Sequence, residues 1–413
     1  MVRRPNQLAR LEAASNVGAE PWLDPLLMRK FPLFTDIMAA AERRIPKRIG
    51  GYFFAGADSE AGLAENTAAF ERIRLVPRYG VEIGGGDTTV EIFGKTYAAP
   101  IGMAPVGYTS AIWPGAERQL AAEAQRIGLP FITSTFAIER LETIKAIAPD
   151  VAWLQLYYFT NREISMDLIE RAKRAGYEVL VLTIDIPVYS KRTRDHRNGM
   201  EFPPSRSASL IAEVISKPAW LRGFLRQPFP MPGNLMPYAS DPNGGNAALT
   251  ELLARTEILP FTWEDFAAVR KAWPGKLVVK GIQHPADALA AVAAGADGVI
   301  VSNHGGRQLD AAPAAIDTLP LVADAIGVKA AVMMDSGVRS GLDIAKALIR
   351  GAQCCFAGRA FVASCAAIGE NGARHAISLF RDEFATALGQ LGVESAAALH
   401  GNRDREWHPQ TAR

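Results

Sequence analysis

AVAAGADGVIVS, residues 291–302, is the stretch that decides the fold. A helix end runs into Gly295, and seven residues later an unbroken apolar run stops on Ser302. Glycine after the last helical turn supplies a left-handed cap, and a short run that is apolar on both faces reads as a fully buried parallel strand. The same unit recurs as AKRAGYEVLVLT at 172–183 and ALIRGAQCCFAG at 347–358, and with an interval of six as AQRIGLPFITS at 124–134. PIGMAP near 100, VAWLQLY near 151, KLVVKGI near 276 and AAVMMDSG near 330 bring the total to eight strands alternating with helices. Their starts fall some 20 to 30 residues apart, except for one gap of nearly 100 between the fourth and fifth.

Eight such units predict an α/β TIM (β/α)8 barrel, which typically takes about 250 residues. In a chain of 413 the expected plan is one domain: an N-terminal helical cap at 1–97, then the barrel at 98–413 with an insertion at about 199–262. A doubly wound sheet would need a glycine fingerprint on its first βα turn. There is no GxGxxG or GxxxxGK[ST], and GGGD at 84–87 precedes the first barrel strand.

The composition, 49% hydrophobic and 21% charged, excludes a disordered chain and a disulfide-stapled miniprotein. With 45 basic against 43 acidic residues the formal charge is +2, too weak a field to argue for nucleic acid, so a small-molecule ligand is expected. Cys354, Cys355 and Cys365 have no disulfide or metal-ligand spacing and read as small buried residues in a reducing compartment. Residues 1–20 lack the apolar stretch of a secretory signal. The longest uncharged run, Thr96–Ala116, contains Pro100, Pro105 and Pro114, so it reads as a strand entering a loop. The expected location is therefore cytoplasmic.

A barrel puts its active site at the strand C-termini. The residues there are Ala104 to Gly107, Ser134, Gln155, Tyr157, Thr183, Asp185, Lys280, Ser302, His304, Asp335, Gly337, Gly358 and Arg359. His304, in VSNHGGRQLD at 301–310, suits a general base, and Asp185 on another strand would hold its ring and favour the cationic form. Lys280 either pairs with an acid or neutralises charge on a ligand. Arg339 in DSGVRSG and Arg359 in FAGRA follow the seventh and eighth strands, where barrels bind phosphate; an ion pair with Asp335 is the structural alternative.

These motifs resemble the FMN-dependent L-2-hydroxy acid dehydrogenases and oxidases. The resemblance runs from IPKRIGGYFFAGA at 45–57 through ENTAAFERIRLVPR, PIGMAPVG, WLQLYYF, LTIDIP, VVKGI, SNHGGRQLD and DSGVRSG to AGRAF. It implies FMN across the barrel mouth, with Val106, Gly107, Ser134, Gln155, Thr183 and Ser302 around the flavin and Lys280 beside its N1 and O2. Asp335, Gly337, Arg339, Gly358 and Arg359 would hold the ribityl chain and phosphate. His304 would be the base and Asp185 its partner; Tyr52 and Arg307 would bind the substrate carboxylate; Tyr157 and Arg192 would complete the pocket. No metal is implied, and a homotetramer is.

Gly107 stands where some members have alanine and Phe136 where some have tryptophan. With Tyr108 these leave lactate, mandelate-like and longer acids open. Oxygen, a quinone and a cytochrome are all candidate acceptors. Residues 209–238 carry Leu210, Ile211, Val214, Ile215, Trp220, Leu221, Phe224 and Leu225 among Lys217, Arg222 and Arg226. This segment reads as a peripheral membrane surface at the inner face of the membrane, or as a lid or subunit contact. The rival enzyme reading is another FMN- or phosphate-binding barrel, either a different oxidoreductase or a lyase. The rival from outside enzymes is a binding or assembly module.

Overall fold

Eight parallel strands close on themselves: β1 (Ile101–Met103), β2 (Phe131–Thr133), β3 (Ala152–Tyr157), β4 (Val179–Thr183), β5 (Lys276–Ile282), β6 (Gly298–Val301), β7 (Ala331–Met334) and β8 (Cys354–Ala357). Each pairs with the next, and β8 returns to β1 through Cys355 opposite Ile101. The computed structural model describes residues 23–81, 86–200, 207–227, 230–242, 244–258 and 260–407. The N-terminal stretch 1–22, Gly84 and Gly85 of GGGD, and residues 201–206, 228–229, 243 and 259 of the insertion lie outside the described residues.

The strands are continuous apolar runs because both of their faces are covered: β2, β4, β6 and β8 are buried at every position. Cys354, Cys355 and Cys365 are buried free thiols, as the sequence suggested. A hairpin, Val90–Ile92 with Lys95–Tyr97, closes the lower end. At its tip Phe93 packs 5.9 Å from Trp153, whose indole donates to the Tyr97 hydroxyl at 3.1 Å.

Four cap helices precede the barrel: α1 (Pro25–Lys30), α2 (Phe34–Arg44), α3 (Lys47–Phe54) and α4 (Ala61–Arg72). The first three strands lead into α5 (Ala116–Ile127), α6 (Leu141–Ile147) and α7 (Arg162–Ala175). The long connection after β4 carries α8 (Thr193–Asn198), α9 (Ala208–Ile215), α10 (Pro218–Phe224) and α11 (Gly245–Arg255) before α12 (Trp263–Ala272). The ring is completed by α13 (Pro285–Ala293), α14 (Ala315–Ile326), α15 (Gly341–Ile349), α16 (Arg359–Ile368) and α17 (Gly372–Leu391).

Among the side chains that dock the insertion, two reach the loops after the first two strands. Asn234, fully buried, donates to the carbonyls of Ser134 and Thr135 and accepts from Leu141 N–H, so it bridges the loop after β2. Trp220 is also buried; its indole donates to the Ile112 carbonyl at 2.9 Å and stacks on Phe224. Grouping Trp220 with the surface-facing apolar residues of 209–238 is therefore corrected, because its ring is spent on the barrel.

At Gly102 in β1 an added Cβ would lie 2.5 Å from the Phe356 ring and 2.7 Å from the Pro130 carbonyl oxygen. Gly102→Ala is expected to cost about 1–3 kcal/mol through overpacking. A chemical-denaturation midpoint equal to that of the parent protein would contradict this.

Candidate active site

The strand ends and the cap enclose a cavity of about 590 Å³. Every residue assigned from the sequence lines it except Asp185, Gln155 and Ser302, and each of these three is hydrogen-bonded to residues that do. Gln155 accepts from Ser134 Oγ and donates to Thr183 Oγ1, which fixes two lining hydroxyls from behind.

His304 begins a turn in which it, Gly305 and Gly306 have φ of 58°, 66° and 73°. Histidine rarely adopts that conformation, so the surroundings must impose it. Its Nδ1 lies 2.9 Å from Asp185 Oδ1, and its Nε2 lies 3.4 Å from the Tyr157 hydroxyl. An ionised carboxylate only accepts hydrogen bonds, so Nδ1 carries the proton and Nε2 is the basic nitrogen. Asp185 is set by the bulge of β5 at Gly281, where a Cβ would lie 2.5 Å from Asp185 Cβ. Asp185 does favour the cationic imidazole, as the sequence suggested, but it does not decide the balance. Burial dominates and holds His304 below the ordinary imidazole value, with Asp185 only partly offsetting it.

Lys280, 3% exposed, lies 3.3 Å from Asp335 Oδ2 and donates to Ser302 Oγ at 3.0 Å. Burial pulls its pKa down, but Asp335 and Asp185 outweigh burial and raise it, so the ammonium stays charged. Ser336 donates to Asp335 Oδ1 and accepts the Gly305 N–H, which ties this pair to the histidine turn. Asp335 thus pairs with Lys280; the pair with Arg339 or Arg359 considered from sequence is absent among the described residues.

Arg307 donates from Nη1 to the Tyr52 and Ala55 carbonyls, which leaves Nε and Nη2 without a partner among the described residues. Burial and then Arg192 push its pKa down to about 10. The guanidinium groups of Arg307 and Arg192 lie 5.0 and 5.4 Å from the Tyr52 ring centroid. Beside them Tyr108 and Phe136 stack at 6.0 Å, Phe136 meets Tyr157 at 5.6 Å, and the insertion adds Leu253, Thr256 and Ile258 to the wall. A Cβ on Gly107 would press on Phe136 Cβ at 3.2 Å.

On the other side Arg339 and Arg359 are half-buried and held below the ordinary guanidinium value, first by desolvation and for Arg359 also by Arg307 and Arg339. Arg359 donates to the carbonyls of Phe53, Ala55 and Gly305, so it fastens α3 to the histidine turn as well as lining the cavity at the N-terminus of α16. Asp335 and Asp185 are committed to Lys280 and His304. This wall therefore carries more positive charge than its acids balance, and with the start of α16 it suits a phosphate ester. The apolar, hydroxyl-edged sector from Val106 to Thr183 suits a planar ring, so the donor set fits FMN.

Sequence reasoning missed the residues that hold this arrangement. Asn66 and Asn303 exchange two 2.8 Å hydrogen bonds, Asp310 caps α4, and buried Glu117 accepts the N–H groups of Ser110, Ile138 and Glu139. Asn303 and Asp310 flank His304 in the quoted motif, but their partners are about 240 residues away in sequence and no local signal marks them.

A sequence model described as FMN-dependent dehydrogenase matches residues 41–405. An L-lactate dehydrogenase of Caulobacter vibrioides is 36% identical over 368 residues, covering 89% of this chain and 95% of that protein. An L-lactate dehydrogenase of Xanthomonas campestris is 36% identical over 370 residues, with 89% and 95% covered. Among solved structures, the monotopic membrane protein (S)-mandelate dehydrogenase superposes with a TM-score of 0.86 at 33% identity, covering 91% of this chain and 98% of that one. Mandelate oxidase with (S)-4-hydroxymandelic acid gives 0.78 at 34%, with 90% and 98% covered.

In an NMR titration His304 is expected to titrate below 6.5, its unperturbed value, and Asp185→Asn is expected to lower it further by removing the anion that opposes burial. A midpoint at or above 6.5 in the parent protein would contradict the dominance of burial.

Proposed function

The chain belongs to the FMN-dependent dehydrogenase family, and from that premise we propose that it oxidises an L-2-hydroxy acid with an apolar side chain to the 2-oxo acid. The observation that carries this reading is His304, held by Asp185, in one cavity with the anchored Arg307. In this reading the chain works as one FMN-binding unit, with 1–97 as its cap.

Val106, Gly107, Ser134, Gln155 and Thr183 would hold the ring of FMN, with Ser302 behind Lys280; Asp335, Gly337, Arg339, Gly358 and Arg359 would hold its ribityl phosphate. When bound, FMN supplies the two-electron acceptor. Arg307 takes the substrate carboxylate through Nε and Nη2, with Tyr52 and Arg192 beside it. Because Nη1 is fixed by two carbonyls, the carboxylate arrives in one orientation, which presents the reacting carbon to His304. His304 Nε2 accepts the departing proton, and Asp185 stabilises the imidazolium so formed. Tyr157, whose pKa burial raises, stays protonated and donates a hydrogen bond at this centre. Phe136, Tyr108, Leu253 and Ile258 give an apolar wall for the side chain, which favours bulkier acids such as mandelate over lactate.

The relative that superposes at 0.86 is a monotopic membrane protein, and no helix among the described residues is long and apolar enough to cross a membrane. Ile211, Ile215 and Leu225 are exposed by 55%, 63% and 74%, next to Lys217, Arg222 and Arg226. We extend the proposal to peripheral attachment through 209–238, with a quinone as the fitting acceptor, and to a homotetramer as the family resemblance implies.

His304→Gln is expected to keep its FMN absorbance and lose turnover by about 10²–10⁴-fold. Anaerobic bleaching of the parent flavin by L-mandelate or L-lactate names the substrate class; a flavin that no L-2-hydroxy acid bleaches rejects the proposal. Replacing Ile211, Ile215 and Leu225 together by Gln should release the protein from anionic phospholipid vesicles in a flotation assay. Equal flotation of parent and variant would rule the segment out as the anchor.

A further inference from the structure

Helix α4 is fastened to the active-site loops along its whole length. At its N-terminus Asp310 Oδ2 accepts the N–H and hydroxyl of Ser59, and Oδ1 accepts the Gly62 N–H at 2.9 Å. In its middle, a Cβ on Gly306 would lie 2.6 Å from the Leu63 backbone, and one on Gly337 would lie 2.2 Å from the Asn66 carbonyl oxygen. At its C-terminus Lys346 Nζ donates to the Phe70 carbonyl at 2.8 Å. An anion at the start and a cation at the end both complement the helix dipole.

From this fixed rod one polar side chain reaches the catalytic turn. Asn66, 2% exposed, donates from Nδ2 to Asn303 Oδ1 and accepts on Oδ1 from Asn303 Nδ2, each at 2.8 Å. The Asn303 amide is then fully used, because its Oδ1 also accepts the Gly306 N–H and its Nδ2 also donates to the Pro313 carbonyl, both at 3.1 Å. The next residue is His304, which starts three consecutive residues at positive φ. A histidine held there depends on its flanks, since the conformation itself is unfavourable.

We propose that Asn66 is a positioning residue for His304, acting through Asn303. It does not line the cavity and makes no hydrogen bond to His304 among the described residues; it fixes the turn that aims Nε2 into the cavity. The role of His304 rests on the function proposed above, but the fixing of the turn does not.

Two variants and two readouts test this. Asn66→Ala removes both bonds, whereas a protonated carboxyl in Asn66→Asp restores one donor and one acceptor, and burial favours that form. Hydrogen–deuterium exchange of a peptide covering 302–310 is expected to rise clearly in Asn66→Ala and little in Asn66→Asp, with exchange over 179–183 in β4 unchanged in both. Turnover per bound FMN is expected to fall about a hundredfold in Asn66→Ala with KM changed far less, because the base is misaimed, and to recover most of that loss in Asn66→Asp. If exchange at 302–310 is unaltered, or rises while turnover per bound FMN stays near that of the parent, the proposal is overturned. Should Asn66→Ala fail to fold, Asn66→Asp decides alone: near-parent exchange and turnover support the paired geometry, and near-parent exchange with lost turnover refutes it. A parent flavin that no L-2-hydroxy acid bleaches would defeat the function reading, while the exchange comparison would still decide whether Asn66 fixes the turn.

Discussion

Two side-chain pairs at the strand ends, one a buried ion pair and one a part-buried imidazole–carboxylate hydrogen bond, constrain everything around them. Lys280 with Asp335, and His304 with Asp185, bring four titratable side chains from β5, from the loops after β6 and β7, and from the loop after β4 into one water-poor space. Stranding Lys280 or Asp335 unpaired would cost several kcal/mol, so the loops must stay where these partners meet. That explains why hydroxyls fill the gaps. Ser302 accepts from both Lys280 and the His304 N–H, and Ser336 links Asp335 to Gly305, so the charged groups and the turn form one hydrogen-bonded body.

The remaining charge in the cavity is a surplus of guanidinium groups, and the protein satisfies part of it with backbone. Arg307 and Arg359 together donate to the carbonyls of Tyr52, Phe53 and Ala55 at the end of α3, where a helix presents unsatisfied acceptors and partial negative charge. The cap is thus held down by the same cations that line the site. A phosphate and a carboxylate would complete the balance, so cofactor and substrate binding also relieve repulsion within the folded chain, and such ligands stabilise it by mass action.

The barrel was legible because its signals are local. A glycine cap followed by an apolar run is written within a dozen residues, and four such copies with four further apolar strands leave one closed topology. Most of the candidate site was legible for a related reason, since apart from Tyr52 in the cap and Arg192 in the long connection its residues sit just past strand ends. What escaped was non-local or energetic. Asn66 sits in a helix of the cap and Asn234 in the insertion, and each acts on a loop far away in sequence. The protonation of His304 turned on burial outweighing a charge, which no spacing reveals. Trp220 shows the same limit: its position in an apolar, basic stretch suggested a membrane surface, a lid or a subunit contact, whereas its indole nitrogen is committed to Ile112.

The insertion shows how one surplus segment serves two surfaces. Its later part returns to the mouth, where Leu253 and Ile258 join Phe136 in walling the substrate side, while Ile211, Ile215 and Leu225 of its earlier part face outward. Asn234 and Trp220 pin the segment to the loop after β2 and to the residues after β1. These anchors fasten the helix that carries Trp220 and the loop that carries Asn234 to the barrel. In the proposed reading, bilayer attachment through the outer patch would act on a segment fastened to the loops that border the cavity, a geometry suited to a lipid-soluble electron acceptor.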